Sequence, residues 1–169
     1  MEDSVALEMK ARAKMLGLDP ANKEVLIKTG EDGDPLFIIT RNGYRKTAAA
    51  QPDYVKHVVY PLYDNSVVRV VGDSVEVTIS GGMANLIGAI GFLYKQNVPG
   101  FFVYQVHIDD YESMTGFYWE QRKNTMIMKV CEVNLIRMAY PDILGNTYSD
   151  DEVGEKLYDK KKPLIAFIR

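Results

Sequence analysis

Basic side chains are concentrated in two stretches of the sequence that contain no acidic residue, residues 40–51 and residues 160–169. Cationic groups that lie close together bind phosphate, and a helix beginning near Thr40 would add free backbone N–H groups at its N-terminus. The net charge of −3 does not exclude such a partner, because binding to phosphates depends on the local surface. The basic residues of the two stretches are Arg41, Arg45, Lys46, Lys160, Lys161, Lys162 and Arg169.

A second set of cations lies on a long helix, which the pattern of apolar residues predicts over residues 119–140. At about 100° per residue, Arg122, Lys129 and Arg137 fall within an arc of about 80°, and Lys123 lies just outside it. This arc is either the solvated face of a surface helix or a row of phosphate ligands. The opposite side of the helix is predicted to enter the core with Ile127, Met128, Cys131, Leu135 and Met138.

Two aromatic residues are candidates for contact with nucleic acid. Trp119 is the only tryptophan and begins the predicted long helix. Proteins that bind single strands stack bases on such rings, although a packed aromatic residue at a helix start is the simpler interpretation. Tyr44 lies among the cations of residues 40–51, and Lys23 and Lys28 are predicted on the preceding strand, where solubility charge is the alternative role.

Recognisable catalytic motifs are absent from the sequence. It contains no P-loop, which argues against a nucleotide-driven recombinase. His57 and His107 lack the spacing of metal ligands, and each is interpreted as a hydrogen-bonded strand histidine. The acid pairs at residues 109–110 and 150–151 suggest a metal-dependent nuclease only if a rigid scaffold holds them together, whereas they are predicted in turns. No cofactor is therefore expected.

Length and composition indicate one soluble domain over residues 1–169. The single cysteine, Cys131, excludes an internal disulfide and favours a cytoplasmic setting. The N-terminus lacks the features of a secretory signal, and the longest apolar run, residues 83–94, is too short to span a bilayer.

The expected fold class is α+β, with β-hairpins and an antiparallel meander packed with one long helix in the C-terminal half. The chain is predicted to consist of a helix–hairpin–helix element over residues 1–53, a β meander over residues 54–110, the long basic helix over residues 117–141, and an acidic turn with a basic tail over residues 142–169. Within these segments, the predicted elements are a helix at 4–17, strands at 24–29 and 35–40, a helix at 41–51, strands between 54 and 80, a hairpin of 86–96 with 101–108, and a strand at 163–168.

Two blocks of sequence resemble the RecT/Red-beta family of phage recombination proteins. Residues 13–51 are similar to the family's helix–hairpin–helix element, and residues 119–152 are similar to its long-helix signature. The matching positions of the first block are Gly17, Leu18, Asp19, Pro20, Lys23, Glu24, Val25, Asn42, Gly43, Tyr44 and Arg45. Those of the second block are Trp119, Lys129, Cys131, Glu132, Arg137, Ala139, Tyr140, Pro141, Tyr148, Asp151 and Glu152.

This resemblance implies a non-enzymatic protein that binds single-stranded DNA and anneals complementary strands without ATP, in the cytoplasm of a bacterial host. It implies as partners the single strand, the annealed duplex intermediate, further copies in a ring or helical filament, and a phage exonuclease or host single-strand-binding protein. The chain resembles the annealing core alone. The alternatives are a phage scaffold module that lacks annealing activity and, less favoured, a nuclease. The expected DNA-binding residues are Lys23, Arg41, Tyr44, Arg45, Lys46, Trp119, Arg122, Lys123, Lys129 and Arg137.

Overall fold

The structure is a computed structural model that describes residues 2–29, 35–114, 116–145 and 147–149. The described helices are α1 (Glu2–Met15), α2 (Arg41–Ala49), α3 (Phe117–Gln121), α4 (Lys123–Ala139) and α5 (Pro141–Leu144). The described strands are β1 (Val25–Thr29), β2 (Pro35–Ile39), β3 (Tyr54–Tyr63), β4 (Ser66–Val71), β5 (Ser74–Ile79), β6 (Leu86–Lys95), β7 (Phe102–His107) and β8 (Tyr148–Ser149). The expected α+β class is confirmed.

The N-terminal helix and hairpin follow from local signals in the sequence. α1 is followed by Gly17, whose left-handed backbone (φ +68°) lets the chain turn, and the N–H of Leu18 donates back to the helix. A short 3₁₀ turn then begins at Asp19, whose carboxylate accepts from the N–H of Ala21 at 2.9 Å. β1 and β2 pair antiparallel, as predicted, and β8 adds to β2 in parallel. Lys23, predicted on the strand, instead lies before β1 in the left-handed region (φ +56°).

The start of α2 is tightly constrained. Thr40 caps the helix, because its hydroxyl accepts from the N–H of Gly43 at 3.3 Å. The same hydroxyl donates to the carbonyl of Lys23 at 2.8 Å, which ties the cap to the segment before β1. A Cβ added at Gly43 would lie 2.2 Å from the carbonyl oxygen of Glu24. The start of the helix is therefore held against the segment before β1, and the predicted start of the helix after Thr40 is confirmed.

The central sheet contains β3, β6 and β7 in that order, with both pairs antiparallel. The predicted hairpin of β6 with β7 is confirmed. β4 and β5 pair with each other in a separate two-stranded sheet, so the chain makes an excursion between β3 and β6 and does not follow a simple meander. β5 covers the outer face of the central sheet, where Val75 and Val77 pack on Leu62, Ile90 and Phe92.

α4 lies across the inner face of the central sheet. At Gly91 of β6 a Cβ would lie 2.8 Å from Leu135 of α4, so the glycine allows the close approach of the helix. The first half of α4 packs with Trp119 and Ala89, and the second half packs with α2, β1 and β2. The long helix of the C-terminal half is thus confirmed, and it is the central element of the core.

Two details of the long helix differ from the prediction of one helix with a broad exposed basic face. The backbone leaves the helical conformation at Arg122 (φ −140°, ψ 49°), so the residues before it form the separate α3. Most positions of α4 are buried, because the sheet and α2 cover different sides of it. Met138, expected in the core, is 39% exposed, whereas Glu132 is buried.

The predicted strand at 163–168 lies outside the described residues. Over the described residues, the longest apolar helical stretch falls short of a membrane span.

Candidate nucleic-acid interface

The buried carboxylate of Glu132 lies at the centre of a cluster of cationic and polar side chains. Its residue is only 1% exposed, in the middle of α4. Arg41 donates from Nε to Oε2 of the carboxylate at 2.5 Å. Arg45 donates from Nε to Oε1 and from Nη2 to Oε2, the latter at 3.2 Å. His57 of β3 contacts Oε1 through Nε2 at 2.9 Å. One carboxylate therefore joins α2, β3 and α4.

Local structure explains why these side chains converge. Arg41 and Arg45 are four residues apart on α2, so both project from the same side of the helix. Successive residues of a strand face opposite sides, so His57 faces α4 while Val58 packs in the cluster under β5. The carboxylate is consequently surrounded by donors from two neighbouring elements.

Hydrogen bonding determines the proton position on neutral His57. An ionised carboxylate only accepts hydrogen bonds, so Nε2 of the imidazole must carry the hydrogen that it donates to Glu132. Nδ1 is then the acceptor, and the hydroxyl of Tyr54 donates to it across 2.8 Å. Tyr54 and His57 thus form a second layer that orients the carboxylate. Burial raises the pKa of Tyr54, so its hydroxyl keeps its proton at neutral pH.

The charge of the cluster is not balanced. Burial alone would raise the pKa of Glu132, but hydrogen bonds from His57 and Arg45 and the nearby charge of Arg41 outweigh burial and lower the pKa to about 2. Glu132 is therefore ionised at neutral pH. Among the residues that the structure describes, two guanidinium groups face this single carboxylate, so these groups carry an excess of one positive charge when His57 is neutral.

The excess charge reaches the surface through the two arginines. The side chain of Arg41 is 29% exposed and that of Arg45 is 45% exposed, whereas that of Glu132 is 2% exposed. Arg41 uses only Nε to bind the carboxylate, and Arg45 uses Nε and Nη2. Among the described residues, the remaining terminal nitrogens of both guanidinium groups have no hydrogen-bond acceptor. These outer nitrogens can bind an anion such as phosphate, which accepts the paired N–H groups of guanidinium.

Lys46 and Lys23 lie near the same end of α2. Lys46 is half-exposed and forms an ion pair with Glu24 at 2.7 Å, and Lys23 is exposed next to Glu24 in the chain. The hydrogen bond from Lys46, together with that from the backbone of Asp19, lowers the pKa of Glu24. Lys46 is therefore already partnered, and the local charge that it contributes is partly neutralised.

Tyr44, a predicted contact residue, is fully buried in the core. Its hydroxyl lies 2.7 Å from the hydroxyl of Thr147 and accepts from Nη2 of Arg137 at 3.0 Å. Arg137 is half-buried and also donates from Nη1 to Asn134 at 3.1 Å. The structure thus connects Arg137 to α2 through Tyr44. Contact of the Tyr44 ring itself with DNA would require it to leave the core.

The remaining predicted residues lie at the beginning of the long helix. Trp119 is 6% exposed and its ring stacks on Tyr111, with centroids 5.5 Å apart and planes 6° from parallel. Arg122 and Lys123 are exposed where α3 meets α4, and Lys129 is half-buried. From Lys123 to Glu132 the helix rises about 13 Å, so these cations extend away from the cluster. A base contact by Trp119 stays a prediction, because the ring is packed.

Glu132, His57 and Tyr54 were not among the predicted site residues. Glu132 was recognised only as a position shared with a known family. The signal that could have identified it is the occurrence of one acid within the apolar run of residues 130–133, because a buried carboxylate requires cationic partners. Arg41 and Arg45, which lie in a stretch without any acid, are the matching cations.

An α+β fold with an unbalanced cationic cluster at its surface defines a class of protein that can hold polyanions. A model of the RecT family matches residues 2–165, nearly the whole chain, so the chain belongs to the RecT family. Proteins of this family bind single-stranded DNA, anneal it in phage recombination and form oligomers. The family resemblance of residues 13–51 and 119–152 is thereby confirmed. A search of curated proteins found no significant match.

Proposed function

We propose that this protein binds the backbone of single-stranded DNA with Arg41 and Arg45 and anneals complementary strands without ATP. The observation that carries this proposal is the Glu132 cluster, in which one buried carboxylate binds two arginines whose side chains remain partly exposed. Each phosphate that is bound releases condensed counterions, which favours binding and reduces repulsion between two strands. Arg137, Lys129, Lys123 and Arg122 would extend the contact along α4.

Annealing requires that the strand be held by its backbone. Phosphate contacts carry no sequence information, so they leave the base edges free to test a partner strand. Formation of the duplex supplies the driving force, and no nucleotide hydrolysis is required. The protein would act during phage recombination in the cytoplasm of the bacterial host.

We also propose that several copies assemble head to tail, as a ring or as a filament, when they act on DNA. A single small domain covers only about 4–16 nucleotides, which is short for a strand that must find its register with a partner. Heterologous contacts between identical copies close into a ring or continue as a helix. Sedimentation with oligonucleotides of increasing length tests this proposal, and a complex that stays monomeric at every length would refute it. A phage exonuclease and a host single-strand-binding protein remain proposed partners.

The proposed DNA contacts are tested by the salt dependence of binding. Arg45→Ala should weaken binding to single-stranded DNA and reduce the log–log salt slope by roughly 0.7 for each phosphate that the variant no longer binds. Arg41→Lys, which keeps the charge but lacks the forked guanidinium, should also weaken binding. Lys10→Ala, at an exposed position of α1, is the control. An unchanged slope in a folded Arg45 variant would remove this arginine from the interface.

Annealing itself is tested with two complementary oligonucleotides, with and without ATP and Mg²⁺. The proposal expects the protein to accelerate duplex formation even when ATP and Mg²⁺ are both absent. Binding without acceleration would favour a scaffold module of the same fold, and strand cleavage that depends on Mg²⁺ would indicate a nuclease.

A further inference from the structure

Glu132 has a charge opposite to that expected at a DNA site, and yet it contacts both arginines assigned to phosphate binding. The carboxylate accepts only from the inner nitrogens of the guanidinium groups, namely Nε of Arg41 and Nε with Nη2 of Arg45. Among the described residues, the remaining terminal nitrogens of both groups have no acceptor. Arginine side chains have several rotatable bonds, so an arginine held at its inner edge has already lost most of its freedom before DNA arrives.

We propose that Glu132 is a positioning residue, which fixes Arg41 and Arg45 with their outer nitrogens arranged for adjacent phosphate oxygens of single-stranded DNA. This inference rests on the proposed function. The carboxylate does not contact DNA, because its side chain is 2% exposed and both of its oxygens are occupied. Its effect is to lower the entropic cost of ordering the two arginines when the strand binds.

The second layer supports the same role. Tyr54 is hydrogen-bonded to His57, and His57 donates to Oε1 of Glu132, so the carboxylate is oriented from the side of β3 while the arginines bind it from the side of α2. The interacting groups belong to elements that are fixed by packing, because α4 lies on the central sheet and α2 packs on α4. In a preorganised site, the residues that bind the ligand are usually held in place by a second layer of hydrogen bonds.

Electrostatics and positioning predict opposite results for Glu132→Gln, and the variant therefore distinguishes them. If charge alone mattered, removal of a negative group close to phosphate would strengthen DNA binding and steepen the salt slope. If Glu132 positions the arginines, the neutral amide, with one acceptor oxygen in place of two, holds them less well. Binding should then weaken roughly tenfold, and the salt slope should become shallower by roughly 0.7 for each phosphate that is released.

The experiment measures binding of a fluorescent oligonucleotide at several salt concentrations for the wild type, Glu132→Gln and the exposed control Glu8→Gln, at a temperature where melting curves show all three folded. Weaker binding with a shallower slope in Glu132→Gln alone supports the proposal. Binding as tight as that of the wild type, or tighter, would overturn it. A lower melting temperature with an unchanged salt slope in the folded protein would also overturn it, because that result indicates a purely structural role.

A second pair of variants keeps the test decisive if Glu132→Gln does not fold. His57→Leu removes the donor to the carboxylate, whereas His57→Gln keeps an N–H donor of similar reach. The proposal expects weaker DNA binding and a shallower salt slope in His57→Leu. In His57→Gln, both quantities should recover toward the wild-type values. Equal binding by the two variants would overturn it. Failure of the proposed function is separate, because wild-type protein would then not bind or anneal single strands at all.

Discussion

Glu132 should make the stability of the protein depend on pH in a way that one substitution removes. In the folded protein its pKa is about 2, compared with an ordinary value of 4.5. A group whose pKa is lowered by folding stabilises the folded state above its unfolded pKa and loses this effect as the pH falls toward the folded pKa. At about 1.4 kcal/mol for each pH unit between the two values, the full effect is about 3 kcal/mol. It is present at pH 6, and about 2 kcal/mol of it is lost by pH 3.

The assay is urea unfolding at 25 °C and fixed protein concentration, followed by circular dichroism at pH values from 6 down to 3. Glu132→Gln resembles the protonated acid at every pH, so the difference in free energy of unfolding between it and the wild type should shrink as the pH falls. Glu8→Gln should stay parallel to the wild type. A gap between wild type and Glu132→Gln that is constant from pH 6 to pH 3 would refute the assignment of Glu132 as an ionised, cation-bound group.

Three further predictions follow from buried features. Gly43→Ala should cost more than about 2 kcal/mol of stability, because the new Cβ would lie 2.2 Å from the carbonyl oxygen of Glu24 and would have to displace the backbone there. A melting temperature within about 2 °C of the wild type would contradict this prediction. Burial raises the pKa of Cys131 to about 12, so iodoacetamide should label the thiol at pH 8 only after the protein is unfolded in urea. Rapid labelling of the folded protein would count against burial of this thiol. Tyr111→Leu removes the ring that stacks on Trp119 and should lower stability by about 1 kcal/mol. The same variant should show stronger quenching of tryptophan fluorescence by acrylamide. Unchanged quenching would indicate that the stack does not protect the indole ring.

Local elements were predictable because their signals are local. The first helix ends just before Gly17 and α2 begins after Thr40, close to the predicted bounds, and the β6–β7 hairpin follows from two apolar runs around a short turn. The long helix was also predictable from periodicity, but the arc of basic residues was predictable only in part, because Arg122 lies outside α4. The extent of burial was not, because periodicity describes one face while α4 is covered by the sheet and by α2 on different sides.

The centre of the site was less predictable for the same reason. Arg41 and Arg45 were predicted as contacts from their charge and their place near a helix start, and their contact with DNA stays a prediction. Glu132 is 91 residues from Arg41 and 75 from His57 in the sequence, so no local pattern indicates that they meet. Tyr44 was predicted to contact DNA because it lies among cations, yet it is fully buried. On a helix, neighbours in sequence point in different directions, and adjacency to charged residues says little about exposure.

The parallel pairing of β8 with β2 has a consequence for how the chain is made. Ile38 and Ile39, both almost inaccessible to solvent, pair with residues 148 and 149, and the hydroxyl of Tyr44 meets Thr147. A ribosome that adds about 5–20 residues per second needs about 5 to 20 s to travel from one partner to the other. For that interval the first hairpin and α2 lack their third strand, and until α4 is made they also lack the buried side chains of that helix. The N-terminal part of this protein is therefore synthesised early and completed late.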